Sequence, residues 1–354
     1  MNLQFSIIEP SSSLWQEMES AADSNCFLTA VWDSYLTHMH CRRIVVRIDR
    51  DRACIGWFVG SRSSMGLRII SAPSMGTGTY SQGLCLKEQC SRANRVEIYK
   101  QLTQWLLKTK IAHYIQICDW QMRTDSHEWI DDWHDPLLDE AGIHYNPRHT
   151  FYLDLHPSEE ELWANLQYKS CKYPINKARK EGLTVRRVER EEDIEAFVDQ
   201  HYKHIRDVLR RKHSRGLPCQ RRKNISALCH SLFPHLLMLQ VVGKDENGHE
   251  VSMSSGIFVP GNAASTYFTA ASYHRYMSHC PNELMVWEAM QELHRQGAGD
   301  LILGGIAHYK KKFNPTYAFV PVMIFSRYRL FLDFRRRGKE IYSRLMHFFW
   351  KVIR

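Results

Sequence analysis

The chain has 354 residues, of which 44% are hydrophobic and 24% charged, and its formal net charge is +9. This length accommodates two domains of ordinary size, and the composition excludes an intrinsically disordered chain. No run of 18 apolar residues occurs, and residues 1–5 lack the basic and apolar parts of a signal peptide, so we expect no membrane span and a cytoplasmic protein.

Ten cysteines are scattered along the chain without a CxxC pair. Disulfide frameworks belong to small secreted proteins, and zinc sites usually show closely spaced ligand pairs. The sequence therefore predicts reduced thiols and no metal site.

The positive charge is concentrated in three basic clusters, at residues 206–223, 310–312 and 335–339. Such clusters suit nucleic acid, acidic lipid headgroups or phosphate-bearing small molecules, and they also occur as solvated surface. We expect a phosphate-bearing partner.

The first half of the chain predicts mixed helix and strand. Helical spacing covers 12–22 and 29–39, with Thr29 as the N-cap of the second helix. Residues 42–48 and 53–59 predict a β-hairpin, and 67–71 a further short strand. The glycine-rich stretch 71–80 precedes a helix at 91–109 and a strand at 112–118.

The second half predicts the same order of elements. Helices are expected at 158–168, 191–212 and 281–296, and a short helix is expected to end at Gly182. Strands are expected at 183–188, 236–242, 250–259, 264–270 and 300–303. Asn247-Gly248 marks a tight turn. The repeated order suggests an ancient duplication.

Three segments in the second half carry a recognisable pattern. The first is Glu161–Leu166 followed by Cys171–Gly182, in which Pro174 either ends a helix or occupies the first turn of a new one. The second is Pro281–Met290, followed by Gly297 and by Leu303-Gly304-Gly305. The third is Tyr309–Asn314, an aromatic residue followed by three lysines and Phe313.

Together these segments resemble the FemAB family of tandem GNAT-like acyltransferases. The resemblance implies an α/β (mixed α+β) fold of two GNAT-like domains, at 1–150 and 151–330, followed by a basic amphipathic helix at 331–354. Two positions depart from the family pattern: Ile302 replaces an acidic residue that many members carry, and Asn314 replaces a glycine. The departure at Ile302 puts any role for that carboxylate in doubt.

Lys310 is the candidate catalytic residue. Attack on an acyl carbonyl makes its oxygen negative, and a nearby cation or N–H donor lowers the barrier. Lys310 follows a strand that ends in Gly304 and Gly305, where the backbone can approach a ligand closely. The resemblance also implies that this lysine is the group closest to the reaction or to a substrate phosphate.

Further candidates are predicted to bind substrate. Lys172, Asn176 and Arg179 share one helical face, either as an anion grip or as an exposed helix surface. Glu288 is either a tuned acid–base group or a structural partner of a nearby Arg or His. Tyr267 and Tyr273, which flank the end of a predicted strand, either shape a pocket or belong to the core. Tyr173, Tyr309 and Phe313 are also predicted to bind substrate.

We predict an N-acyltransferase that uses no bound cofactor and takes acyl-CoA or another thioester as its co-substrate. An aminoacyl-tRNA-dependent enzyme that extends a peptide or cell-wall precursor is the first alternative, with tRNA as the partner. A non-catalytic binding protein on a GNAT fold is the second. The tail 335–354 either contacts an anionic membrane or docks on the protein itself.

Overall fold

One long β-sheet organises the backbone of the protein. The computed structural model describes residues 2–328, apart from 22–23, 25–26, 64–68, 72–82, 215, 217–219 and 306. The strands of the described chain are Leu3–Ile8 (β1), Cys41–Arg50 (β2), Ala53–Ser63 (β3), Ile69–Ser71 (β4), Gly83–Leu86 (β5), Tyr114–Cys118 (β6), Thr124–Ser126 (β7), His144–Asp154 (β8), Thr184–Arg187 (β9), Leu237–Lys244 (β10), Glu250–Val259 (β11), Ala264–Ser272 (β12), Asp300–Gly304 (β13) and Thr316–Ser326 (β14).

Helices flank the sheet. They are Ser12–Glu19 (α1), Trp32–His38 (α2), Arg92–Lys108 (α3), Pro136–Glu140 (α4), Glu159–Asn165 (α5), Tyr173–Lys180 (α6), Ile194–Arg211 (α7), Arg222–Leu232 (α8) and Pro281–Arg295 (α9). Short 3-10 turns at His274–His279 and His308–Phe313 and a π-helical turn at Tyr168–Lys172 complete the described chain around the later strands.

The strand order along the main path is β1-β2-β3-β4-β6-β14-β8-β13-β12-β11-β10-β9, with β5 beside β3 and β7 beside β14. The last strand, β14, is antiparallel to β6 on one side and to β8 on the other. A strand from the end of the described chain therefore completes the sheet of the first half.

Two parallel strands in the second half separate along their length. β12 and β13 are paired only from Ala264↔Asp300 to Thr266↔Ile302. Beyond that point β12 stays paired with β11, and β13 stays paired with β8. The pairing of β12 with β11 skips Phe268, which forms a β-bulge. Bulges bend a strand away from its neighbour, so a cleft opens between the carboxyl ends of β12 and β13.

The cores lie between the helices and both faces of the sheet. Trp287 and Met285 of α9 pack on one face with Phe151 and Phe313. On the opposite face, α7 and α8 share one core with Trp32 of α2. A helix from the first half is thus part of the core of the second half.

Most of the predicted elements are present. The β2–β3 hairpin is confirmed, and its turn residues Asp51 and Arg52 have φ values of 51° and 68°. Pro174 occupies the first turn of α6, as the second of its two predicted roles requires. The predicted cap was wrong: α2 begins at Trp32 after Val31, which makes no side-chain cap bond.

The predicted domain boundary between residues 150 and 151 lies within β8, and the division into two domains stays a prediction. Most of the glycine-rich loop 71–80 and the whole tail 331–354 lie outside the described residues. Within the described chain, no helix is long and apolar enough to cross a bilayer.

Candidate active site

The cleft between β12 and β13 contains the predicted glycines and the candidate lysine. Gly304 ends β13 with a φ of +75°, and its carbonyl accepts a hydrogen bond of 2.6 Å from Thr150 Oγ1. A Cβ added at Gly305 meets no atom within 4 Å, so this residue borders open space. The backbone at Gly305 is therefore open to a ligand.

Lys310 is held in place by the 3-10 turn at His308–Phe313. Phe313, which is 2% exposed, anchors the turn in the core beside α9, and Asn314 ends it with a φ of +55°. Asparagine tolerates this left-handed conformation better than most residues, which explains how it replaces the glycine of the family pattern. The turn directs Lys310 back towards the end of β13.

The Lys310 ammonium is buried and bound to backbone. Its Nζ donates to the carbonyl of Leu303 at 2.5 Å and to that of Gly305 at 2.9 Å, and the residue is 8% exposed. An ammonium carries three N–H donors. In the described part of the chain the third has no acceptor, so it is available to a substrate oxygen.

Burial and, to a smaller extent, the positive charge of Lys212 together lower the pKa of Lys310 to about 8. At neutral pH the side chain is still mostly protonated. Lys212 lies at the end of α7, and the backbone N–H of His274, just past β12, donates to Asp207 of α7 at 3.2 Å. The end of α7 thus brings positive charge to the mouth of the cleft.

Two tyrosines form one wall of the site. The hydroxyls of Tyr267 and Tyr309 are 2.8 Å apart, and Lys310 Nζ lies 5.1 Å from the centre of the Tyr267 ring. Burial raises the pKa of Tyr309 to about 12 and that of Tyr267 well above its usual value, so both hydroxyls stay protonated. The centre of the Tyr309 ring lies 5.8 Å from the same nitrogen, so both aromatic rings lie near the cation.

The candidates on α6 and α9 do not converge on Lys310. Lys172 donates to the carbonyl of Ala164 at 2.8 Å, and Asn176 is exposed. Arg179 forms a 2.9 Å ion pair with Glu288, which is the structural partnership considered for that carboxylate. Tyr173 is 59% exposed. Their roles in substrate binding stay predictions.

A buried polar cluster on α7, absent from the sequence-based candidates, lies against β11. The Nδ1 atoms of His201 and His204 lie 2.8 and 2.7 Å from Ser255 Oγ. Burial lowers their pKa values to about 3 and about 4, so both rings are neutral. Their spacing of three residues on an amphipathic helix is the sequence signal that shows they share the inward face.

Metal ligands are not clustered in the part of the chain that the structure describes. No group of three or more His, Cys, Asp or Glu side chains there is arranged to hold a metal ion, and the eight cysteines it includes are free. The groups that line the cleft are an amine, two phenols and backbone carbonyls, which suit charge stabilisation and hydrogen bonding.

Comparison with known proteins identifies the second half. Residues 167–311 match the family model described as an acetyltransferase (GNAT) domain, a range that includes the cleft and Lys310. No curated protein sequence matches the chain significantly.

Solved structures extend the likeness to nearly the whole chain. The crystal structure of FemX has a TM-score of 0.63 at 13% identity, covering 89% of this chain and 96% of that one. A conserved protein of unknown function from Bacteroides thetaiotaomicron has a TM-score of 0.54 at 9% identity, covering 90% and 100%. L-PGS from Bacillus licheniformis has a TM-score of 0.50 at 10% identity, covering 92% and 94%.

Residues 167–311 are therefore a GNAT domain, and the protein is an acyltransferase. The chain as a whole shares its fold with FemX, and its mixed α/β architecture with a GNAT domain confirms the predicted fold class.

Proposed function

We propose that the protein transfers an acyl group from an activated, phosphate-bearing carrier to an amine, in the cleft between β12 and β13. The observation that carries this proposal is the buried Lys310 ammonium, which donates to the carbonyls of Leu303 and Gly305 and whose third N–H has no acceptor among the described residues. A thioester such as acyl-CoA is the simplest donor.

The reaction follows from this geometry. The amine nitrogen attacks the acyl carbonyl carbon, and the carbonyl oxygen becomes an oxyanion. The third N–H and the charge of Lys310 stabilise that oxyanion in a site with little water, where such an interaction is strong. Collapse breaks the C–S bond, the thiolate leaves, and the proton released by the amine passes to the thiolate or to water.

Gly304, Gly305, Tyr267, Tyr309 and Phe313 would shape the acyl-binding part of the cleft. Gly305 gives the acyl carbonyl access to the backbone, and the two tyrosines exclude water beside Lys310. Lys212, at the mouth, would attract the carrier phosphates.

Aminoacyl transfer from tRNA is the second candidate, and the start of α9 favours it. CoA-binding GNAT enzymes cradle pyrophosphate with glycine-rich backbone before such a helix. Here residues 273–280 contain no glycine, Pro281 opens the helix without an N–H, and Glu283 in its first turn pairs with Lys312. An anionic pyrophosphate is less well accommodated there. An aminoacyl ester, whose alkoxide would leave in place of a thiolate, does not need this cradle, and the resemblance to FemAB proteins points to such donors.

A ligand-binding and turnover assay tests the proposal. Purified protein is screened by thermal shift and native mass spectrometry against acyl-CoA thioesters and against charged tRNA, and transfer to amines is followed by mass spectrometry. We expect one donor class to raise the melting temperature. Lys310→Ala should lower kcat/KM about 100-fold or more, the usual effect of losing an oxyanion donor.

Lys244→Ala is the matched control, because Lys244 is an exposed lysine at the end of β10. It should behave as the unaltered protein does. Unchanged turnover in Lys310→Ala would contradict the role of Lys310. Ligand binding without any transfer, equal in both variants, would support a non-catalytic binding protein instead.

A further inference from the structure

Exposed large apolar side chains are concentrated around the mouth of the cleft. The described chain has eight exposed large hydrophobic residues, and four of them lie in the three segments that border the cleft. Tyr168 is 69% exposed, Tyr173 59%, Met277 48% and Tyr309 36%. We call residues 168–177, 273–280 and 307–314 the rim.

Contacts join the three rim segments into one surface. Residues 273–280 follow the carboxyl end of β12 and residues 307–314 follow that of β13. Lys177 Nζ donates to the carbonyl of Ser278 at 2.8 Å, and Gln167 Nε2 donates to that of Lys311 at 3.4 Å. Through Lys177 and through Gln167, the residue just before it, the segment 168–177 is thus connected to both of the others.

The rim has an excess of positive charge, although Glu181 and Glu283 beside it pair with Lys177 and Lys312. Its three segments contain no Asp or Glu and seven Lys or Arg: Lys169, Lys172, Lys177, Arg275, Lys310, Lys311 and Lys312. Lys169, Arg275 and Lys311 are exposed, and the Arg275 guanidinium lies over the Tyr276 ring at 4.6 Å. The surface is complementary to a polyanion that also accepts apolar side chains.

We propose that the rim docks on an anionic phospholipid surface, with the mouth of the cleft facing the lipid headgroups. Tyrosine is favoured at the boundary between water and hydrocarbon, and lysines around it bind acidic headgroups. Met277 favours lipid over nucleic acid as the partner. Its exposed thioether offers neither an aromatic face for a base nor a cation for a phosphate, but its burial in an apolar layer is favourable in free energy. This docking is independent of the donor and of the acyl-transfer chemistry.

Vesicle flotation with the full chain tests the docking. Phosphatidylcholine vesicles are compared with vesicles that also contain phosphatidylglycerol. We expect the protein to float with the anionic vesicles and to be released by high salt. Replacing Lys169 and Lys311 together by Gln should weaken partitioning about fivefold for each lysine. The apolar variant Tyr168→Ser/Tyr173→Ser/Met277→Ser should weaken it in low salt as well.

Control variants distinguish docking through the rim from binding through other surfaces. Ile7→Ser removes an exposed side chain of β1, which is far from β12 and β13 in the strand order, and should leave flotation unchanged. Circular dichroism verifies that every variant is folded. A third variant replaces Arg335, Arg336 and Arg337 by Gln. Flotation that depends on these arginines and not on the rim would overturn the proposal. So would rim variants that lose affinity for tRNA while the unaltered protein never floats, since the rim would then be an RNA surface.

Discussion

The Lys310 side chain combines two properties that oppose each other. Its charge suits an oxyanion partner, yet burial disfavours that charge, and two carbonyls and the nearby tyrosine rings compensate only in part. A pKa lowered from 10.5 to about 8 corresponds to roughly 3 kcal/mol of destabilisation at neutral pH. A lysine placed in this way is explained by function better than by folding.

The first prediction concerns the pH dependence of catalysis. If the protonated form of Lys310 stabilises the oxyanion, kcat/KM should fall about tenfold per pH unit above a pKa of about 8. Lys310→Arg retains a cation that does not titrate in this range, so its descending limb should move beyond pH 10. The measurement is a pH–rate profile of both proteins; a limb near pH 8 that persists in Lys310→Arg would assign the titration to another group.

A second prediction concerns stability. Lys310→Met removes the buried charge, a gain of roughly 3 kcal/mol, but it also loses two hydrogen bonds at about 0.5–1.5 kcal/mol each, so we expect an increase of about 0–2 kcal/mol in the free energy of unfolding at pH 7. Urea denaturation measures it. The same variant should lose turnover. A less stable variant would show that the carbonyls of Leu303 and Gly305 need this ammonium for the local fold.

At the scale of single elements, the buried histidines of α7 should make the free energy of unfolding depend on pH. His201 and His204 have folded-state pKa values of about 3 and about 4, well below the 6.5 of an unfolded histidine. The unfolded chain therefore binds more protons than the folded chain does. The contribution of the two neutral rings to stability is complete above pH 6.5 and is lost as the pH falls towards 3. Between pH 7 and pH 5 the loss should be about 2 kcal/mol for each ring.

Urea denaturation of the protein at pH 7 and pH 5 measures this difference. His201→Leu replaces one ring by an apolar side chain and should reduce the difference by about half. An unchanged pH dependence in that variant would mean that His201 is already protonated in the folded state.

Sequence patterns predicted some of the helices and strands and missed others. The hairpins and the longest helices, α3, α7 and α9, were predicted because each has a clear period and marked ends. β8 and β14 were not, because Pro147 and Pro321 interrupt them and proline normally argues against a central strand. In the structure these prolines face each other, and Pro321 lies between the residues of β14 that pair with β7 and those that pair with β6. Neither proline removes a hydrogen bond that the sheet needs.

The candidate site was predictable only where it depends on local sequence, and not where it depends on how distant elements pack. Lys310 could be located from the sequence because it follows a glycine-ended strand at a fixed distance. The role of Lys212 could not, since its proximity depends on how α7 crosses β12. The α6 residues Asn176 and Arg179 share a helical face as predicted, but spacing alone does not say what that face meets, and for Arg179 it meets Glu288.

Across the whole molecule, the two halves are joined by more than their connection. α2 packs into the core formed by α7 and α8, and Trp120 Nε1 of the first half donates to Asp300 of the second at 3.0 Å. β14 adds a pairing with β6. These contacts couple the two halves, so we expect cooperative unfolding.

Trp32→Ala tests this coupling. Trp32 is fully buried between the halves, and its truncation should lower the free energy of unfolding by about 3–5 kcal/mol. Circular dichroism and tryptophan fluorescence should report one transition with the same, lowered midpoint. Ile7→Ala, at an exposed position, should shift it little. Two separate transitions, only one of them shifted, would show that the halves unfold independently.

The position of β14 has a consequence for the making of the protein. β6 ends at Cys118, but the strand that completes its edge ends at Ser326, roughly 200 residues later in the chain. At a synthesis rate of about 5–20 residues per second, the open edge of β6 waits on the order of 10–40 s for its neighbour. During that interval the ribosome holds an unfinished sheet, and a chaperone that covers the edge of β6 would have its greatest effect there.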